Sequence, residues 1–147
     1  APTRSKYRWH QMEVRALSKQ CLCEPAEVLI IPCGGASNCG QNASEAAVQL
    51  TREGIGELYC LAGLAAHLPE MIEVARAAKR ICVVDGCALQ CARKAVEHVG
   101  LTITDHLDLS AEDMPKGRNF ERVQQDVLFT VKMVKQKLRE QAKGVDE

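Results

Sequence analysis

The hydrophobic pattern becomes regular after Pro25. Residues 26–32 read Ala-Glu-Val-Leu-Ile-Ile-Pro, a short run that is apolar through its middle and closed by Pro and then Gly. Such a run predicts a strand covered on both faces. Cys33-Gly34-Gly35-Ala36 reads as a loop, and a helix opens near Ser37 or Asn38 as N-cap and continues to about Glu53. Gly54 and Gly56 stop it. Residues 56–60 predict a second, shorter strand, 61–67 a single helical turn, and 69–78 a helix with Met71, Val74 and Ala75 inward. Residues 80–85, Arg-Ile-Cys-Val-Val-Asp, predict the third strand. Asp85 then caps a helix over 87–99, which Gly100 ends at the C′ position. Residues 101–109 predict a fourth strand, followed by a short acidic turn from Ser110 through Pro115 and Gly117. Residues 119–143 predict a long helix with a stripe of Phe120, Val123, Val127, Val131, Val134 and Leu138.

Strands alternating with helices predict parallel pairing and right-handed crossovers. Four strands in the order 2-1-3-4 make a three-layer α/β domain of Rossmann-like or flavodoxin-like type, extended by the long C-terminal helix. The domain is expected over 26–147, preceded by a basic extension over 1–25. In such sheets, sites form beyond the carboxyl ends of the strands, at the switch point between strands 1 and 3.

That rule sorts the eight cysteines. Cys33 lies just past strand 1, Cys60 at the end of strand 2 and Cys87 just past strand 3. Cys91 falls one helical turn beyond Cys87, so the two sulfurs are expected on one helix face. Four thiols from three segments thus approach one sheet edge, a donor set that suits a tetrahedral zinc site or an iron–sulfur cluster. Spacing alone does not distinguish these, since no paired CxxC units are present. Cys82, in mid-strand, reads as a core residue. Cys39 reads equally as a fifth thiol or as packing, and Cys21 and Cys23 form a CxC pair in the extension. The alternative use of the same thiols is a thiol or persulfide relay. Cys87 would be its nucleophile, favoured by a helix N-terminus, and Cys33 and Cys60 the nearest resolving partners.

Three motifs stand in order: Cys33-Gly34-Gly35-Ala36-Ser37-Asn38, then Cys60-Leu61-Ala62-Gly63, then Asp85-Gly86-Cys87-Ala88-Leu89-Gln90-Cys91. Together they resemble the DGC-domain family of bacterial and archaeal proteins, over roughly residues 28–117. The resemblance implies zinc binding, with four metal-ligand cysteines matching Cys33, Cys60, Cys87 and Cys91. The extension and the length of the last helix fall outside it.

Composition narrows the partners. Nineteen basic and nineteen acidic residues cancel, and aromatics make up 3% of the 147 residues. Nucleic-acid binding is therefore not expected, even though Tyr7 and Trp9 lie in a basic arm. Gly35 and Gly40 have P-loop spacing, but Gln41-Asn42 stands where Lys and Ser or Thr belong, which argues against nucleotide binding. The two loop glycines read instead as letting backbone N–H groups approach sulfur. Asp85 reads as a cap rather than a base, and His10, His67, His98 and His106 carry no assigned chemistry. Arg93 and Lys94 read as solvated charges. A protein partner or homo-oligomer is expected through the N-terminal extension or the C-terminal helix. No membrane span and no signal-peptide h-region are visible, so a cytoplasmic protein is expected. Zinc held by thiolates, in a structural, storage or delivery role, is the leading functional expectation. The iron–sulfur or relay reading stands as the alternative.

Overall fold

The chain's structure is a computed structural model that describes residues 26–112 and 114–143. Strand β1 (Val28–Pro32) leads to helix α1 (Asn38–Arg52), and β2 (Glu57–Leu58) to the short helices α2 (Leu61–Ala65) and α3 (Pro69–Ala77). Strand β3 (Arg80–Asp85), helix α4 (Cys91–His98), strand β4 (Asp105–Asp108) and the long helix α5 (Val123–Lys143) follow. The sheet has the order β2-β1-β3-β4 with every pairing parallel. This is the three-layer α/β architecture and the strand order that the periodicity predicts. Among the described residues no helix is long and apolar enough to cross a membrane.

The two central strands are apolar on both faces because each face meets helices. Ile30, Cys82 and Val84 point to one side, where they pack with Ala43, Ala46, Ala47 and Leu50 of α1 and with Val131, Val134 and Leu138 of α5. Leu29, Ile31, Ile81 and Val83 point to the other, against Leu64 of α2, Ala75 of α3, and Ala92 and Val96 of α4. Full burial of each large aliphatic side chain contributes about 1.5–3 kcal/mol. The alanine face of α1 lets that helix lie close to the sheet.

The differences from the sequence reading lie at element ends. Strand β2 is two residues long rather than five, and Cys60 already belongs to the turn into α2. Strand β4 begins at Asp105; before it, Thr104 pairs with Ile81 through its backbone N–H and its hydroxyl (3.0 Å each). Helix α5 begins at Val123, after a separate tight turn over Phe120–Arg122. Its stripe beyond Leu128 is core of this chain, since Val131, Val134 and Leu138 are buried, whereas Leu128 and Phe129 are exposed. Helix α4 begins at Cys91, not at Cys87. Cys87–Gln90 instead form a turn closed by the Gln90 N–H donating to the Cys87 carbonyl (3.0 Å), and Gln90 has φ +53°, which ends any backward continuation of the helix. Cys87 and Cys91 therefore do not share a helix face.

Candidate functional site

The carboxyl edge of the sheet holds a cavity of about 500 Å³. Its lining includes Cys33, Cys87 and Cys91, together with Leu89, Lys116 and Arg118. Cys33 follows directly on β1, and its N–H donates to the Val84 carbonyl (3.0 Å), which carries the β1–β3 pairing one residue further. Its Sγ accepts the Gly86 N–H at 3.3 Å. Burial pushes the Cys33 thiol up; hydrogen bonds from the Gly35 and Gly86 backbone oppose this, while the charges of Asp85 and Cys87 add to it. The expectation that loop amides reach sulfur thus holds, with Gly86 of the second loop as one of the donors. Cys87 is half-buried in the turn after β3, and Lys116 Nζ donates to its Sγ at 3.4 Å. Cys91 is exposed at the first turn of α4.

The other cysteines are elsewhere. Cys60 is exposed at the N-cap position of α2 and is not among the residues that line this cavity. Cys39 is fully buried, its thiol 3.8 Å from the carbonyl oxygens of both Met114 and Pro115, so it packs rather than lines the site. Cys82 is fully buried in β3, and burial pushes its thiol up to about 12. Cys21 and Cys23 lie outside the described residues.

Asp85 organises the edge from beneath. Its carboxylate is 1% exposed; Oδ1 accepts the Ala92 N–H (2.9 Å) and Oδ2 the Arg93 N–H (3.1 Å). It caps α4 as expected of a cap, but across a five-residue gap, so the turn carrying Cys87 bulges between cap and helix. His106 Nε2 lies 3.0 Å from Asp85 Oδ2. The Gln90 amide donates to Asp108 Oδ2 (3.1 Å), tying the same turn to β4. Burial pushes Asp108 up, but hydrogen bonds from Ser110 and Gln90 outweigh it and hold the carboxyl below its ordinary value. Gly86 is required by contact: a Cβ there would lie 2.6 Å from the Gly40 nitrogen and 2.7 Å from the Cys39 carbonyl carbon. The two loops therefore touch backbone to backbone at the switch point.

The cations come from a strap over residues 114–118. Asn38 clasps it with three hydrogen bonds. Its N–H donates to the Gly117 carbonyl (3.0 Å), its Nδ2 to the Pro115 carbonyl (2.9 Å), and its Oδ1 accepts the Gly117 N–H (2.6 Å). Reading the sequence singled out neither Lys116 nor His106, and took Asn38 only as a possible cap. The available signal was topological: residues after strand 4 arrive at the same carboxyl edge, so Lys-Gly-Arg there belongs with the thiols. Arg93, read as a solvated charge, is about half exposed and pairs with Glu97 (2.9 Å).

Thiols facing one cavity are the right donor type for a soft metal ion. Their arrangement does not complete the fit. Among the described residues no three His, Cys, Asp or Glu side chains are grouped so as to hold an ion.

A family model, the DGC domain, matches residues 29–134. The chain belongs to the DGC-domain family. Within that match lie all three cavity cysteines and the Asp85-Gly86-Cys87 triplet. The DGC chain is also 33% identical over 88 residues to the "Anaerobic and virulence modulator AnvM" of Pseudomonas aeruginosa, covering 60% of this chain and 67% of AnvM. No solved structure matches the chain.

Proposed function

We propose that this DGC protein acts through a reactive thiol, Cys87, in thiol–disulfide exchange or sulfur transfer. The observation that supports this reading is the Lys116 ammonium 3.4 Å from Cys87 Sγ, beside a cavity large enough for a small molecule. An ammonium at that distance lies against the sulfur that carries negative charge when it attacks or leaves in exchange. In the exchange, the Cys87 thiolate attacks one sulfur of a disulfide, the old S–S bond breaks as the new one forms, and the departing thiolate takes a proton from water. Cys33, which lines the same cavity, is the resolving thiol.

Zinc is the second reading, favoured by Cys33, Cys87 and Cys91 lining one cavity and by the Gly86 N–H on Cys33 sulfur. Cys60 would have to be replaced by another fourth donor or brought in by movement of its turn. An iron–sulfur cluster would use the same sulfurs. Zinc ranks second because among the described residues no three such side chains are grouped so as to hold an ion, and because Lys116 donates to the Cys87 sulfur.

Alkylation separates the readings. Iodoacetamide at neutral pH, read by peptide mass, is expected to label Cys87 well ahead of Cys33, at a rate that a chelator does not change. Lys116→Gln is expected to slow it severalfold. Protection of Cys87 that disappears on chelation, with zinc near one per chain in the untreated protein, would reverse the order of the two readings.

A further inference from the structure

The lining of the thiol cavity carries information about what enters it. Lys116 and Arg118 both line it, and both ride on the strap that Asn38 clasps. Their backbone is therefore fixed at the rim of the cavity, with the Lys116 ammonium 3.4 Å from Cys87 Sγ and both side chains exposed to an entering molecule. The carboxylate in the lining is that of Asp85, and it is 1% exposed with both oxygens taken by the Ala92 and Arg93 amides and by His106. It is not free to pair with either cation. The cations thus face an entering molecule directly, while Leu89, 59% exposed, supplies an apolar wall.

We propose that the cavity is a subsite for a small, net-anionic disulfide, one bearing carboxylates, whose sulfur is delivered to Cys87. This rests on the reading of Cys87 as the reacting thiol and adds the class of molecule it reacts with. The carboxylates sit against Lys116 and Arg118, the apolar part against Leu89, and the disulfide between them meets Cys87 Sγ. The reaction is balanced without a further oxidant: the Cys87–S bond forms, the ligand's S–S bond breaks, and one half leaves as a thiolate that water protonates. The product is a mixed disulfide on Cys87, which Cys33 can resolve with release of the second half.

The test uses the full chain, reduced and treated with chelator, and three disulfide probes. These are oxidised glutathione (net anionic), hydroxyethyl disulfide (neutral) and cystamine (cationic). Mixed-disulfide formation at each cysteine is followed by peptide mass, and each rate is divided by that of a free small thiol with the same probe. The normalised rate at Cys87 is expected to be about threefold to tenfold higher for oxidised glutathione than for hydroxyethyl disulfide, the size of one or two solvent-screened ion pairs. It is expected to be lowest for cystamine, and the preference is expected to shrink at high salt. In the Lys116→Gln/Arg118→Gln double variant the preference should vanish while circular dichroism stays that of the wild type. Equal normalised rates for the anionic and neutral probes, or a preference that survives the double substitution, would overturn the subsite and leave Cys87 as the reacting thiol. If Cys87 reacts with the neutral probe no faster than the exposed Cys60, the reactive-thiol reading itself falls, and the subsite with it.

Discussion

Asp85→Asn isolates the group that holds the thiol edge together. The substitution preserves shape but turns Oδ2, or Oδ1, into an NH₂ group. In wild type, Oδ1 accepts from Ala92 and Oδ2 accepts from Arg93 and faces His106 Nε2. With the amide nitrogen at the Oδ2 position, the Ala92 bond survives without its charge, a loss of about 1 kcal/mol. The Arg93 N–H then faces a donor instead of an acceptor, at about 1–3 kcal/mol for a buried unpaired group. His106 adapts, because its neutral ring can present a bare Nε2 to the new N–H. The net expectation is a destabilisation of about 2–4 kcal/mol, or a fall in Tm of roughly 4–16 °C for a domain of this size. Thermal and urea unfolding followed by circular dichroism measure the total. Amide hydrogen exchange locates it: protection should drop first at Ala92 and Arg93. The turn that Asp85 straddles should loosen too, raising the alkylation rate of Cys91. A Tm within about 2 °C of wild type, with protection at Ala92 and Arg93 intact, would refute the argument that this carboxylate caps α4.

Two further outcomes follow from buried groups. Cys82 has its thiol pushed up from 9.0 to about 12, so its folded form favours the neutral thiol. The stability this represents is whole below pH about 9 and is lost as pH rises towards 12, by about 1.4 kcal/mol per unit within that window. Cys82→Ala is expected to be less stable than wild type near neutrality, by about 1–2 kcal/mol for the lost packing, and to close the gap in urea titrations above pH 9; a gap that stays constant with pH would contradict the assignment. Gly86→Ala places a methyl 2.6 Å from the Gly40 nitrogen, in backbone that cannot give way locally. It is expected to destabilise by more than about 3 kcal/mol, as severe overpacking does, whereas Gly117→Ala, with nothing within 4 Å, should be close to neutral. Urea midpoints of the pair decide it.

The architecture was legible in the sequence because it rests on local periodicity. Short apolar runs such as Leu29–Ile31 and Ile81–Val84, separated by amphipathic stretches, permit little besides a parallel sheet with helices on both faces, and the order 2-1-3-4 follows from right-handed crossovers. The carboxyl-edge rule also placed Cys33, Cys87 and Cys91 near one another before any coordinates. What only the tertiary structure decided is the site's fine geometry, because each part of it rests on a contact between residues distant in sequence. Helix α4 starts at Cys91 because Gly86 is pressed against Cys39 and Gly40 of α1, and because Asp85 reaches over the turn to its amides. Local capping statistics place Asp85 at the helix start and cannot register either contact. Cys60 falls outside the cavity because β2 stops at Leu58 and its chain turns into α2 at once. Lys116 meets Cys87 across 29 residues, through a strap whose position depends on Asn38 at the start of α1. Hydrophobic period specifies which residues face the core, but the charge beside a thiol is set by which loops the packed core brings to the same edge.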